Sequence, residues 1–212
     1  MTNTDRAHTY IGRMQPLSKD PNLFIVSGGP GSGKTTVLNR IAERGYRVFP
    51  EVARRIIQEQ IKAHGDALPW GDRLAYTRLM LERSVESYRG HTPAPYPAFS
   101  DRGIPDTLCY ARLIGLPDDA FIREACDRFR YSPAVFLAPP WKEIYRTDEE
   151  RKQDFAEAER TFQLVREVYA ECGYETLELP KAAPNERADF IVNKVVQPIA
   201  KQAPVSPPAH TP

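Results

Sequence analysis

Two things are scarce in this sequence: net charge and cysteine pairing. Among 212 residues, 29 Lys and Arg stand against 28 Asp and Glu, for a net charge of +1. So even a balance creates no field that would draw the protein to nucleic acid or an anionic membrane surface, and both drop out as main partners. The three cysteines, Cys109, Cys126 and Cys172, are odd in number, far apart in the chain and without a Cys-x-x-Cys pair. That excludes a disulfide framework and a cysteine zinc site, and points to buried free thiols in a reducing compartment. The four histidines show no metal-ligand spacing. No apolar run approaches the ~20 residues that span a bilayer, and the polar N-terminus lacks the apolar core of a signal peptide. The expected location is the cytoplasm.

What is present is an alternation of short apolar runs with helical patterns, the mark of a parallel sheet wrapped by helices. Residues 23–26 (LFIV) form a continuous apolar run suited to a strand buried on both faces. Further strands are predicted at 46–49, 98–100, 134–137 and 175–179. Helices are predicted after the first strand, over 52–61, 72–89, 105–113, 149–172 and 185–196, from apolar residues at helical spacing. Residues 1–21 read as a loose polar leader, 22–197 as one α/β domain, and 198–212 as a disordered proline-rich tail, the stretch from Gln197 onward carrying five prolines.

The first strand runs straight into Gly28-Gly29-Pro30-Gly31-Ser32-Gly33-Lys34-Thr35, which satisfies G-x-x-x-x-G-K-[ST] at every fixed position. Glycines let successive backbone N–H groups turn inward around a polyphosphate with no Cβ in the way. Lys34 is placed to reach the β- and γ-phosphates, the Thr35 hydroxyl to bind Mg²⁺, and the helix that follows, with Thr36 in its first turn, to add its positive end. A buried strand before the loop and an amphipathic helix after it are the context this motif requires.

Ligands of open α/β sheets bind beyond the carboxyl ends of the strands. Two acids lie there: Glu51 after the second strand and Asp101 at the end of the third. Asp101 is the candidate for orienting Mg²⁺ with Thr35, directly or through water. Glu51 is the candidate for accepting a proton from an acceptor hydroxyl or holding that hydroxyl in line. Arg102, next to Asp101, is the favoured phosphate clamp; Arg54 and Arg55 are weaker ones. After the fourth strand, Pro139-Pro140 leads into a polar segment carrying Arg146 and Arg151, the pattern of a lid that closes a positive charge over a transferring phosphoryl group.

The order GGPGSGKTT, PEVARR, SDRGIPD resembles the P-loop kinases. It looks most like the bacterial predicted-ATPase group related to the ribosylnicotinamide kinase domain. Glu51, Ala53 and Arg54 are similar to a Glu-x-Ala-Arg element of the nicotinamide riboside kinase branch. Asp101-Arg102 resembles the acid–arginine pair of deoxynucleoside and thymidylate kinases. The resemblance implies a three-layer P-loop fold with a five-stranded parallel sheet in the order 2-3-1-4-5, a helical lid after the fourth strand, and an adenine pocket near residues 180–184. Gly103 departs from the residues those kinases carry after the pair, so no acceptor is carried over. The expected function is transfer of the γ-phosphoryl group of ATP, or of GTP, with Mg²⁺, to a small and nucleoside-like acceptor by a monomer or homodimer. The rival readings are a nucleotide-binding switch and an ATPase without an acceptor.

Overall fold

The computed structural model describes residues 18–117, 119–144 and 155–200. Two short strands, β1 (Ser18–Lys19) and β5 (Phe129–Arg130), pair in parallel apart from the main sheet. The main sheet holds β2 (Leu23–Ser27), β3 (Arg47–Phe49), β4 (Ala98–Asp101), β6 (Ala134–Leu137) and β7 (Glu175–Glu178). All its pairings are parallel, in the order β3-β4-β2-β6-β7. Numbered among themselves, these five strands run 2-3-1-4-5, as the resemblance implies.

The helices are α1 (Lys34–Glu43), α2 (Val52–Lys62), α3 (Arg73–Arg89), α4 (Ile104–Leu113), α5 (Ala120–Arg128), α6 (Phe155–Glu171) and α7 (Pro184–Ala200). They sort into layers according to which face of the sheet their apolar stripes meet. Alternation along a strand sends successive side chains to opposite faces. On one face, Val26, Phe99 and Phe136 bury against Val37, Leu38 and Ile41 of α1 and Ala188, Ile191 and Val195 of α7. On the other, Ile25 and Val135 bury against Ile104 and Leu108 of α4 and Phe162, Val165 and Tyr169 of α6. A smaller cluster, Ile56, Tyr76 and Met80, joins α2 to α3. The result is a three-layer α/β fold, and the central strand β2 is buried on both sides as its unbroken apolar run requires.

Two features depart from the sequence reading. Residues 18 and 19, assigned to the leader, form β1: Tyr88 donates its hydroxyl to the Ser18 and Arg130 carbonyls and ties the short pair to α3. Helix α5 was not foreseen. It is nine residues long, with only Ile122, Ala125 and Cys126 buried, too short to display a period clearly, although Asp119 caps it by accepting from the Phe121 amide at 2.7 Å. The start expected for the helix near 149 lies outside the described residues; its described part begins at Phe155. No helix among the described residues is long and apolar enough to cross a membrane.

Parallel register sets the site. Val26 lies opposite both Asp101 and Phe136, so β2, β4 and β6 end together and their following loops converge. Phe99 is central to this alignment, fully buried between the rings of Phe24 and Tyr46 at 5.9 and 5.7 Å. Phe99→Ala is expected to cost ~3–5 kcal/mol of stability through lost burial and the cavity left behind, read as the shift in a urea unfolding curve.

Candidate active site

The loop after β2 is shaped by positions only glycine fills. Gly28 has φ +137°, and a Cβ there would collide with the Ala138 carbonyl of the strand alongside. Three cations hold the loop's carbonyls. Lys34 Nζ donates to the carbonyls of Gly28 (2.9 Å) and Gly29 (2.7 Å), Arg102 Nη1 to Gly28 (3.0 Å), and Arg187 Nη1 to Ser32 (2.9 Å). Ser32 Oγ adds a bond to the Gly29 carbonyl at 2.8 Å. Among the described residues, the amides of Gly29, Gly31, Ser32, Gly33, Lys34, Thr35 and Thr36 find no protein acceptor. Carbonyls bound to protein and amides left over make an anion nest at the N-terminus of α1.

That nest opens on a cavity of about 490 Å³. The loop from Pro30 to Thr36 lines it together with Glu51, Arg54, Arg102 and Asp106, and largely apolar residues of α2, α3, α4 and α6, with Tyr76, Tyr110 and Thr161 among them, supply most of the rest. Phosphate loop and strand-end residues therefore face one space.

Lys34 is buried and folded back on its own loop. Burial, reinforced by the charge of Arg102, brings its pKa down to about 7, against the opposing pull of Asp101, Glu51 and Asp106. The amine is thus poised between charged and neutral near neutral pH.

Arg102 organises the rest. Its backbone sits at φ +72°, a left-handed conformation that costs a non-glycine residue about 1–2 kcal/mol. Its amide donates to the Val26 carbonyl, and its guanidinium reaches Glu51 Oε1 at 2.7 Å and Asp106 Oδ1 at 3.1 Å. Burial opposes the charge on Arg102, but Glu51, Asp106 and Asp101 outweigh it and raise its pKa well above the usual value. Burial would likewise lift Glu51, yet the charges of Arg102 and Lys34, with the Arg102 hydrogen bond, bring its pKa down to about 2. Glu51 is therefore a fixed carboxylate, suited to accept a hydrogen bond rather than to carry away a proton at neutral pH.

Asp101 is buried, its Oδ1 has no hydrogen-bond partner, and burial lifts its pKa despite Lys34 and Arg102. It borders a smaller void of about 20 Å³ that shares Arg102 and Asp106 with the main cavity, whereas Thr35 is exposed on the main cavity itself. Arg54 lines the main cavity and is exposed. Arg55 is exposed and is not among the cavity's lining residues. Arg146 and Arg151, the expected lid cations, lie outside the described residues.

The family model described as AAA domain matches residues 23–187, a span from the start of β2 into α7. The chain belongs to that family. Among curated proteins no sequence match is found. Among solved structures, the NadR protein in complex with NR is similar with a TM-score of 0.62 at 19% identity, over 91% of this chain and 53% of that one, so this chain spans about half of NadR's length. Deoxyadenosine kinase from M. mycoides, with dCMP and dCDP, gives 0.57 at 13% identity over 82% and 98%. Shikimate kinase from Acinetobacter baumannii, with shikimate, gives 0.51 at 18% over 84% and 94%. At these identities the likeness is one of fold: the P-loop, kinase-like three-layer architecture.

Two residues of this site were missed in the sequence. Asp106 accepts from Ser27 Oγ (2.6 Å), Arg102, the Gly103 amide (2.9 Å) and Tyr169 Oη (2.5 Å), filling both its oxygens. Its place four residues after Arg102, in the first turn of α4, was the available signal. Arg187 carried none, since an arginine in an Asn-Glu-Arg-Ala-Asp run reads as a solvated helix face; it is 3% exposed.

Asp106→Ala would strip Arg102 of a buried partner and is expected to cost about 3–5 kcal/mol, measured by chemical denaturation. Binding of inorganic tripolyphosphate at pH 8 is expected to take up a proton as Lys34 charges. Affinity then falls by up to about tenfold per pH unit above 7, detectable by calorimetry in buffers of different ionisation enthalpy. No proton uptake would show that Lys34 is already charged before the phosphates arrive.

Proposed function

We propose that the chain is a phosphotransferase that moves the γ-phosphoryl group of ATP, or of GTP, to a small acceptor held in the 490 Å³ cavity. The observation that carries this reading is the opening of unpaired loop amides onto the same cavity as the Glu51–Arg102 pair. A hydrolase needs room only for water beyond the phosphates. This cavity continues past them into an apolar compartment.

The amides from Gly29 to Thr36 bind the triphosphate, and Lys34 leaves the Gly28 and Gly29 carbonyls to meet the β- and γ-phosphates. Arg102 keeps the Gly28 carbonyl turned away while that happens. Glu51 accepts a hydrogen bond from the acceptor and holds it in line, and Arg146 and Arg151 supply charge from a closing lid. Thr35, exposed on the cavity wall, would hold Mg²⁺ through its hydroxyl, whereas Asp101, buried beside the smaller void, would act on the ion only through intervening water. Mg²⁺ held there would neutralise phosphate charge. Most of the acceleration then comes from positioning and preset charge. Residues 22–197 form the catalytic unit, acting in the cytoplasm as a monomer or homodimer with no nucleic acid or membrane partner.

The test is ATP consumption with Mg²⁺ in the presence and absence of candidate acceptors. Acceptor-dependent ADP release with a phosphorylated product is expected, and Lys34→Ala is expected to lower it by about 10²–10³-fold with the fold retained. ADP release independent of every acceptor would instead make the chain a hydrolase. Tight ATP binding without turnover would make it a switch.

A further inference from the structure

The acceptor compartment has two chemically different kinds of lining. Among the charged residues stands Glu51, held ionised by Arg102 at 2.7 Å. An acceptor hydroxyl can donate to this carboxylate, whereas an anionic phosphate oxygen brought to the same place meets like charge. Arg102 already spends its Nε and Nη1 on Glu51, Asp106 and the Gly28 carbonyl, which leaves Nη2 alone to meet an anion. Arg54, the other cation on this wall, already offsets part of the Glu51 charge.

Apart from Lys34, Glu51, Arg54, Arg102 and Asp106, the cavity's lining is uncharged. The uncharged lining includes aliphatic side chains and Tyr76 and Tyr110, whose rings meet edge to face at 5.2 Å. Its polar groups are not equivalent. The Tyr76 hydroxyl is spent on the Ala53 carbonyl at 3.4 Å. The hydroxyls of Tyr110 on α4 and Thr161 on α6, both lining residues, are buried and have no partner among the described residues. Threonine inside a helix ordinarily bonds back to a carbonyl of the preceding turn; Thr161 does not. Burial raises the Tyr110 pKa, so its phenol keeps its proton and can donate. Buried polar groups without partners are rare in folded proteins, and two on the adjacent helices α4 and α6, both lining one cavity, are a recognition device.

Resting on the phosphotransfer reading, we propose that the acceptor is an uncharged alcohol bearing a flat ring, whose polar edge is read by Tyr110 and Thr161, and not an anionic phosphate or carboxylate. In the step, the bond from the γ-phosphorus to the β,γ-bridging oxygen breaks and a bond to the alcohol oxygen forms. ADP keeps the bonding pair, and the hydroxyl proton passes to water because Glu51 is too weak a base to retain it.

The test is direct binding to the full chain loaded with Mg²⁺ and AMP-PNP, so that turnover is not needed. The probes are adenosine, cytidine and thymidine as neutral ring alcohols, AMP and CMP as phosphate acceptors, and shikimate as a carboxylate without an aromatic ring. At least one nucleoside is expected to bind ten-fold or more tightly than the monophosphates and shikimate. Tyr110→Phe and Thr161→Val are each expected to weaken it by about three- to thirty-fold, with AMP-PNP affinity held within two-fold. Preference for a monophosphate or shikimate, absence of binding by all three nucleosides, or full affinity in the Tyr110→Phe/Thr161→Val double variant would overturn the acceptor class alone. Failure to bind AMP-PNP would overturn the phosphotransfer reading, and the acceptor class with it.

Discussion

A single guanidinium ties the phosphate loop to the acceptor wall. Arg102 leaves β4 in a left-handed backbone conformation, an unfavourable one that only a dense set of bonds can sustain. Its amide binds the Val26 carbonyl and its side chain binds Glu51, Asp106 and the Gly28 carbonyl. A charge buried to this degree is tolerable only when paired. The pairing partners come from β4's neighbours on both sides: Glu51 just past β3, Gly28 just past β2, Asp106 from the helix that β4 feeds. The positions of three strand ends are thereby fixed relative to one another by one side chain.

Asp106 shows how the hub is kept rigid. With four donors on two oxygens it has no freedom to rotate, and one of those donors, Tyr169, comes from the last turn of α6. Tyr169 is fully buried and its pKa is raised well above the usual value by burial, with Asp106 adding to the shift, so the phenol stays a donor. Packing of α6 against the sheet and the placement of the Arg102 guanidinium are one problem with one solution.

Much of this was written in local pattern. The buried run at residues 23–26, the loop from Gly28 to Thr35 and the acids past β3 and β4 each depend on neighbours in sequence, and each was readable. The strand order came from resemblance, because periodicity says nothing of which strands lie side by side. What escaped was non-local or too small to show a period. Arg187 looked like surface because its partner carbonyl lies 155 residues earlier. Strand β1 has two residues, and its reason for existing is Tyr88, about seventy residues on. The cavity's apolar half is assembled from α2, α3, α4 and α6, each of whose contributing residues would pass for ordinary core in its own helix.

Arg187 also sets an order of events. The Ser32 carbonyl is held by Arg187 of α7, some 155 residues later, so the loop that begins near residue 28 keeps an unfinished shape until α7 has been made. On the ribosome, the nascent protein can build the sheet's centre early, yet its anion nest is completed only when α7 emerges and docks against α1. The loop's final shape thus waits on α7, and a chain cut short before residue 187 would lack this hold on the Ser32 carbonyl.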